Sequence, residues 1–284
     1  MEGASLDPLT FFAVLAAALM HAGWNAIVKL GLDRFSSILL LALAQGALAA
    51  LLIPVFPLPA RESWPWIAAA AFLHTGYKLF LIRAYAHGDL GQVYPVARGT
   101  APLIVALAGF LVLGESLDPA GAAAVALIGL GVVAMALRGG ALPGAAGPAI
   151  PWALGTAGFT AAYTLSDAVG ARLSGTASGY AMWLFAVDGL AMTAFALATR
   201  GPGAFRALRG EWRLGALAGA LSLGSYWVAI WAFTRAPVGL VSALRETSVL
   251  WALLIGAVLL GERIGPWRWL AAALILGGIV LLRL

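Results

Sequence analysis

The sequence predicts an all-α membrane protein of ten transmembrane helices, arranged as two inverted five-helix repeats. Three observations predict it. The 284 residues are 62% hydrophobic and only 10% charged, against about 25% charged in a soluble domain. Ten apolar runs, at 9–30, 35–56, 64–86, 92–113, 118–137, 149–171, 177–199, 211–234, 238–260 and 265–283, each approach the ~20 residues a helix needs to cross the hydrocarbon. Arg98-Gly99-Thr100 leads an apolar stretch to Gly114-Glu115, and that stretch returns 147 residues later as Arg245-Glu246-Thr247 through Gly261-Glu262. Identities at Leu and Gly carry little weight in so apolar a chain. Those at Arg, Thr and Glu carry much, because charge inside an apolar segment is costly and serves a site.

Helix 1 carries His21, Asn25 and Lys29 at i, i+4 and i+8, one stripe of the helix, with Trp24 beside them. Two roles are open to this stripe: hydrogen bonds that lock the bundle, or Trp24 and Asn25 on a cavity wall while Lys29 reaches the interface. Helix 2 has an apolar run with no deep charge. In helix 3, His74, Tyr77 and Lys78 lie within two turns, and Lys78 is too deep to snorkel; a buried ammonium needs a partner or water. Helix 4 opens Tyr94-Pro95-Val96-Ala97-Arg98 and continues through Pro102. Proline frees a carbonyl one turn back, so a kink is expected here, with Pro95 and Pro102 as hinge candidates. In helix 5, Gly129-Leu130-Gly131-Val132-Val133-Ala134 mimics a dinucleotide fingerprint without the strand that should precede it, and reads as helix packing.

Residues 138–151, rich in Gly, Pro and Ala, read as the linker between a first repeat over 1–140 and a second over 141–284. Tyr163, Ser166 and Asp167 share a face of helix 6, and Asp188 lies in the middle of helix 7 near Trp183. Arg200, Arg206, Arg209 and Arg213 crowd one loop, where lipid headgroups rather than nucleic acid are the expected partner. Helix 8 offers Ser222, Ser225, Tyr226 and Trp227; helix 9 offers Arg245 and Glu246. Arg98 and Arg245 can each pair with an acid or grip a substrate carboxylate through a bidentate fork. Glu115 and Glu262, at the ends of helices 4 and 9, are expected to hold the corners there.

Five helices per half is an odd number, so the second half enters from the opposite face, and a cavity is expected between the halves near the bilayer centre. The deep cations Lys78, Arg98 and Arg245 balance the deep anions Asp167, Asp188 and Glu246. Such a site suits a zwitterion better than a phosphate ester; internal ion pairing alone gives the same balance. Asp167, Asp188 and Arg245 are the candidates for ion pairing or proton binding. No cysteine is present, and His21, His74 and His87 have no metal-ligand spacing. No metal, cofactor or enzymatic chemistry is expected, and a monomer in the lipid bilayer is.

The stretches Ala97–Leu117 and Leu244–Ile264 resemble the paired signature of the EamA-type drug/metabolite transporter superfamily, and the likeness runs through nearly the whole chain. Within that superfamily the chain is most similar to bacterial amino-acid and metabolite exporters. The resemblance implies a multi-pass inner-membrane carrier that exports amino acids or similar small zwitterionic metabolites by alternating access. Multidrug export and lipid-linked sugar flipping are the alternatives in the same superfamily. Trp24, Asn25, His74, Tyr77, Lys78, Tyr94, Arg98, Tyr163, Trp183, Tyr226, Trp227 and Glu246 are the candidate substrate residues. Lys and Arg at the helix ends opposite the termini number ten against four, which puts the termini outside by the positive-inside rule; the resemblance implies cytoplasmic termini.

Overall fold

The computed structural model describes residues 6–28, 32–87, 90–136, 150–260 and 264–283, and the regular elements among them are all helical. The long helices are α1 (Pro8–Val28), α2 (Arg34–Leu52), α3 (Trp64–His87), α4 (Leu90–Leu113), α5 (Pro119–Ala136), α6 (Ile150–Leu173) and α7 (Ala177–Arg200). The short α8 (Gly203–Arg206) precedes α9 (Trp212–Phe233), α10 (Val238–Arg245), α11 (Ser248–Leu260) and α12 (Pro266–Leu281). Each apolar run contains helix among its described residues, and one is divided: 238–260 forms α10 and α11.

Five segments, Pro8–Ile27, Arg34–Val55, Ala177–Arg200, Trp212–Phe233 and Val238–Ile255, are long and apolar enough to cross a membrane. Ala97–Leu113, Pro119–Met135 and Pro266–Leu281 are shorter apolar helices. Outward-facing Leu51, Phe72, Val112, Leu190 and Val258 are largely exposed, an apolar exterior that suits lipid and makes this a multi-pass membrane protein.

The 147-residue offset reappears as a physical exchange. At the crossing of α5 and α12, a Cβ on Gly131 would sit 2.9 Å from the Ala271 carbonyl and 2.6 Å from Ile275. A Cβ on Gly278 would sit 2.9 Å from the Ala124 carbonyl and 2.6 Å from Ile128. Adding 147 to the first half of each contact gives the second. Small residues permit the backbones to meet this closely. The pairing of helices obeys the same exchange: α3 packs on α6 as α9 packs on α1, α3 on α7 as α9 on α2, while α2 and α7 pack on each other. At that last crossing Gly46 faces Gly189, with an ideal Cβ on either glycine about 3 Å from the other's Cα. Gly76 on α3 meets Phe159 of α6, and Gly224 on α9 meets Met20 of α1, contacts between the same exchanged helix pairs.

One feature breaks the symmetry. α4 runs without interruption through Pro95 and Pro102, although proline was the reason to expect a distortion there. Its mate is interrupted at Glu246-Thr247, where Glu246 N–H donates to the Ala243 carbonyl at 3.0 Å and Thr247 N–H to the Leu244 carbonyl at 3.2 Å. These i→i+3 bonds tighten the helix at mid-length, a geometry associated with hinges and strain. The break coincides with the contact of Glu246 with Arg98 across the interface of the halves (2.9 Å).

At the start of α2, Asp33 accepts from the backbone N–H groups of Phe35 (3.1 Å) and Ser36 (3.3 Å), and from the Ser36 hydroxyl. The Ser36 hydroxyl holds the Asp33 carboxyl below its usual range. A depressed folded pKa means that this stabilisation is complete above the unfolded carboxyl pKa and fades as pH falls through the folded one. Asp33→Ala is expected to lower stability by about 0.5–2 kcal/mol at neutral pH. Asp33→Asn should retain most of the cap but not its acid sensitivity, as read by SDS titration of the purified protein at neutral and acid pH.

Candidate functional site

The deep charges meet where the two halves face each other, and they form three clusters. On α3, Lys78 pairs with Asp188 of α7, and the Thr75 hydroxyl adds a donor at 3.4 Å. On α4, Arg98 donates from Nε to Glu246 Oε2 at 3.0 Å, and its Nη2 stands 2.9 Å from Oε1 as an ion-pair contact. On α6, Asp167 is wholly buried and takes the Tyr226 hydroxyl at 2.6 Å, His74 Nε2 at 2.9 Å and the Tyr180 hydroxyl at 3.1 Å. A buried carboxylate is tolerated only when its lone pairs are filled, and these three donors come from three other helices, α9, α3 and α7.

Rings pack around the third cluster. His74 stacks on Tyr163, 4.0 Å between centroids, and meets Tyr226 and Phe185 edge-on at 5.2 and 6.1 Å. Tyr77 abuts Tyr163 at 5.6 Å. The Arg245 guanidinium lies 4.6 Å from the centroid of the Tyr226 ring, so Tyr226 touches Asp167 with its hydroxyl and Arg245 with its face. Lys78, Arg98, Asp167, Asp188, Arg245 and Glu246 are each less than a tenth exposed. In this conformation the place where a cavity is expected is filled by His74, Tyr163, Phe185 and Tyr226.

Other expected residues lie elsewhere. Asn25 donates to the His21 carbonyl of its own helix at 2.8 Å, the ordinary satisfaction of a polar side chain within a helix. Trp24 meets the His21 ring at 4.9 Å. Trp183 packs on Trp64 at 4.9 Å, and Trp227 donates to Ser178 and meets Phe56 at 5.2 Å. Those four indoles and phenyls gather near the loop after α2, away from the charged clusters. Pro102 is buried in α4. The side chains of Tyr94 and Pro95, and Glu262 and Lys29 altogether, lie outside the described residues.

Glu115 ties three helices at one end of the bundle. Its carboxylate accepts from Arg172 of α6 at 2.6 Å and from the Val238 N–H that opens α10 at 2.8 Å. Arg172 also donates to the Phe233 carbonyl at 2.8 Å. Sequence reading missed Arg172 here and Tyr180 above. Neither stands out along the chain, since one is a helix-end arginine and the other a tyrosine in an apolar run.

Buried ion pairs joining two exchange-related helical halves define the class, a polytopic membrane protein with a charged core. A family model, the EamA-like transporter family, matches residues 8–137 and again 147–284. The chain belongs to the EamA-like transporter family and is a membrane transporter of the drug/metabolite superfamily. A solved structure described as "Crystal structure of protein" shares its fold, with TM-score 0.70, 19% identity, and coverage of 96% of this chain and 94% of that one. No curated protein matches.

Proposed function

We propose that the chain is a secondary transporter of a bacterial-type inner membrane that moves amino acids or similar small zwitterionic metabolites outward by alternating access. In this reading ten helices span the bilayer as two inverted repeats divided near residue 140. The observation that carries it is the electrostatic balance at the interface of the halves. Lys78 neutralises Asp188 and Arg98 neutralises Glu246, while Arg245 and Asp167 are left at opposite ends of Tyr226. A dianion would require further cations in such a site, whereas a zwitterion brings one charge of each sign. The break in the second half at Glu246-Thr247 supports a moving element, and its placement beside the charges ties that motion to occupancy.

The test is counterflow of labelled neutral amino acids into liposomes carrying the purified protein. Saturable exchange, lost in Tyr226→Ala with the fold retained, is the expected outcome; liposomes inert to every amino acid would sink the reading. A second reading, export of lipophilic cations, is favoured by one feature: no lysine or arginine pairs with Asp167 among the described residues. Transport of a lipophilic cation that is abolished by Asp167→Asn, with amino acids ignored, would establish it instead.

A further inference from the structure

Of the three deep cations, two are consumed by carboxylates and one is not. Arg245 is 5% exposed, yet none of the five ion pairs among the described residues includes it. Its ring contact is the face of Tyr226, and the carboxylate whose charge it also feels, Glu246, is in ion-pair contact with Arg98, a small return for removing a guanidinium from water. Three residues further on, Ser248 opens α11, 2% exposed, with its hydroxyl lacking a hydrogen-bond partner. Residues three apart on a helical path share a face, and the first turn of a 13-residue helix adds backbone N–H groups and the positive end of its dipole. A fixed guanidinium, an unused hydroxyl and a helix start converge on one interruption in the chain.

We propose that Arg245 and Ser248, at the break between α10 and α11, form the subsite that holds the carboxylate of the cargo. The ligand is a monoanionic carboxylate, because two guanidiniums, Arg98 and Arg245, share the single carboxylate of Glu246, which leaves one positive charge in surplus, and Glu246 is in ion-pair contact with Arg98. Arg245 supplies the planar fork that a carboxylate fits bidentately. Entry of the cargo's carboxylate balances that surplus at Arg245, and the same event bears on Tyr226 and through its hydroxyl on Asp167. The inference rests on the reading of the chain as a carrier of small zwitterions, and it differs from a structural role for Arg245 in what it requires of the empty protein.

A structural arginine leaves a hole when removed; an anchor waiting for a ligand does not. Arg245→Gln is therefore expected to leave the ligand-free protein as resistant to SDS as the wild type or more so, since it removes a surplus buried charge and leaves Glu246 with Arg98. Arg98→Gln, which orphans Glu246, is the destabilised comparison. In counterflow, the wild type is expected to prefer L-leucine to L-leucinamide. Arg245→Gln should bind leucine roughly a hundredfold more weakly and lose that preference, and Ser248→Ala should lose part of it. Equal destabilisation by Arg245→Gln and Arg98→Gln, or an unchanged preference for leucine, overturns the subsite. If the wild type moves no amino acid, the carrier reading fails, and the subsite is decided by isovalerate alone. Thermal stabilisation by isovalerate that disappears in Arg245→Gln upholds the carboxylate site, and no stabilisation in the wild type overturns it.

Discussion

Lys78→Met is expected to destabilise the protein by about 3–5 kcal/mol, the usual result of deleting one partner of a buried ion pair. The ammonium and Asp188 are both buried, and among the described residues the other donor to that carboxylate is the more distant Thr75 hydroxyl. With Lys78 gone, Asp188 is left either charged in an apolar interior or protonated, and both states are unfavourable. The double variant Lys78→Met, Asp188→Leu should recover most of the loss, because neither charge remains to be compensated. Unfolding in SDS measures both, and the cycle isolates the pair. A single variant as stable as the wild type would mean that water or lipid headgroups reach Asp188. Transport should fail in both variants even where folding is restored, if the pair contributes to the moving interface.

Gly46→Leu is the second large effect. An ideal Cβ at this position already stands 3.0 Å from the Gly189 Cα and 3.1 Å from the Phe185 carbonyl. The obstacles are backbone atoms, which cannot rotate aside as a side chain does. Four extra carbons must push α2 from α7, at a cost of about 1–3 kcal/mol or more. Gly189→Leu should behave the same way, since it meets the Gly46 Cα at 3.1 Å. Gly158→Ala on α6, with nothing within 4 Å, is the control and should be neutral or stabilising. If both crossing variants express and resist SDS like the wild type, the two helices do not meet as described.

Much of this fold is legible in the sequence, because helices in lipid announce themselves by apolar length and the repeat by its charged residues. The 147-residue offset read from Arg98 and Arg245 is the one that exchanges Gly131 with Gly278 at the crossing of α5 and α12. The tally of three deep cations and three deep anions is also in the sequence; the pairing is not. Arg98 pairs with Glu246, the residue beside its own repeat mate, because helix crossings decide partners and spacing along the chain does not record them. The interruption falls in the half whose ninth run has no proline between Val238 and Leu260, at the residue that pairs with Arg98, while α4 is continuous through Pro95 and Pro102. Trp183 and Trp227 illustrate another blind spot: Trp183 lies five residues before Asp188, and Trp227 follows Tyr226 directly but points about 100° around the helix, so proximity along the chain does not give them the same neighbours.

The contacts of Gly76 with Phe159 and Gly224 with Met20 join the same exchanged helix pairs yet are unequal in tightness. An ideal Cβ would stand 2.4 Å from the phenyl ring in the first and 3.4 Å from the thioether in the second. Under the alternating access proposed above, exchange of the halves turns the snug seam of one state into the slack seam of the other. The counterpart state of that proposal has α1 drawn down on α9 and α3 eased off α6, with the self-paired crossings of α2 on α7 and α5 on α12 as fulcrums.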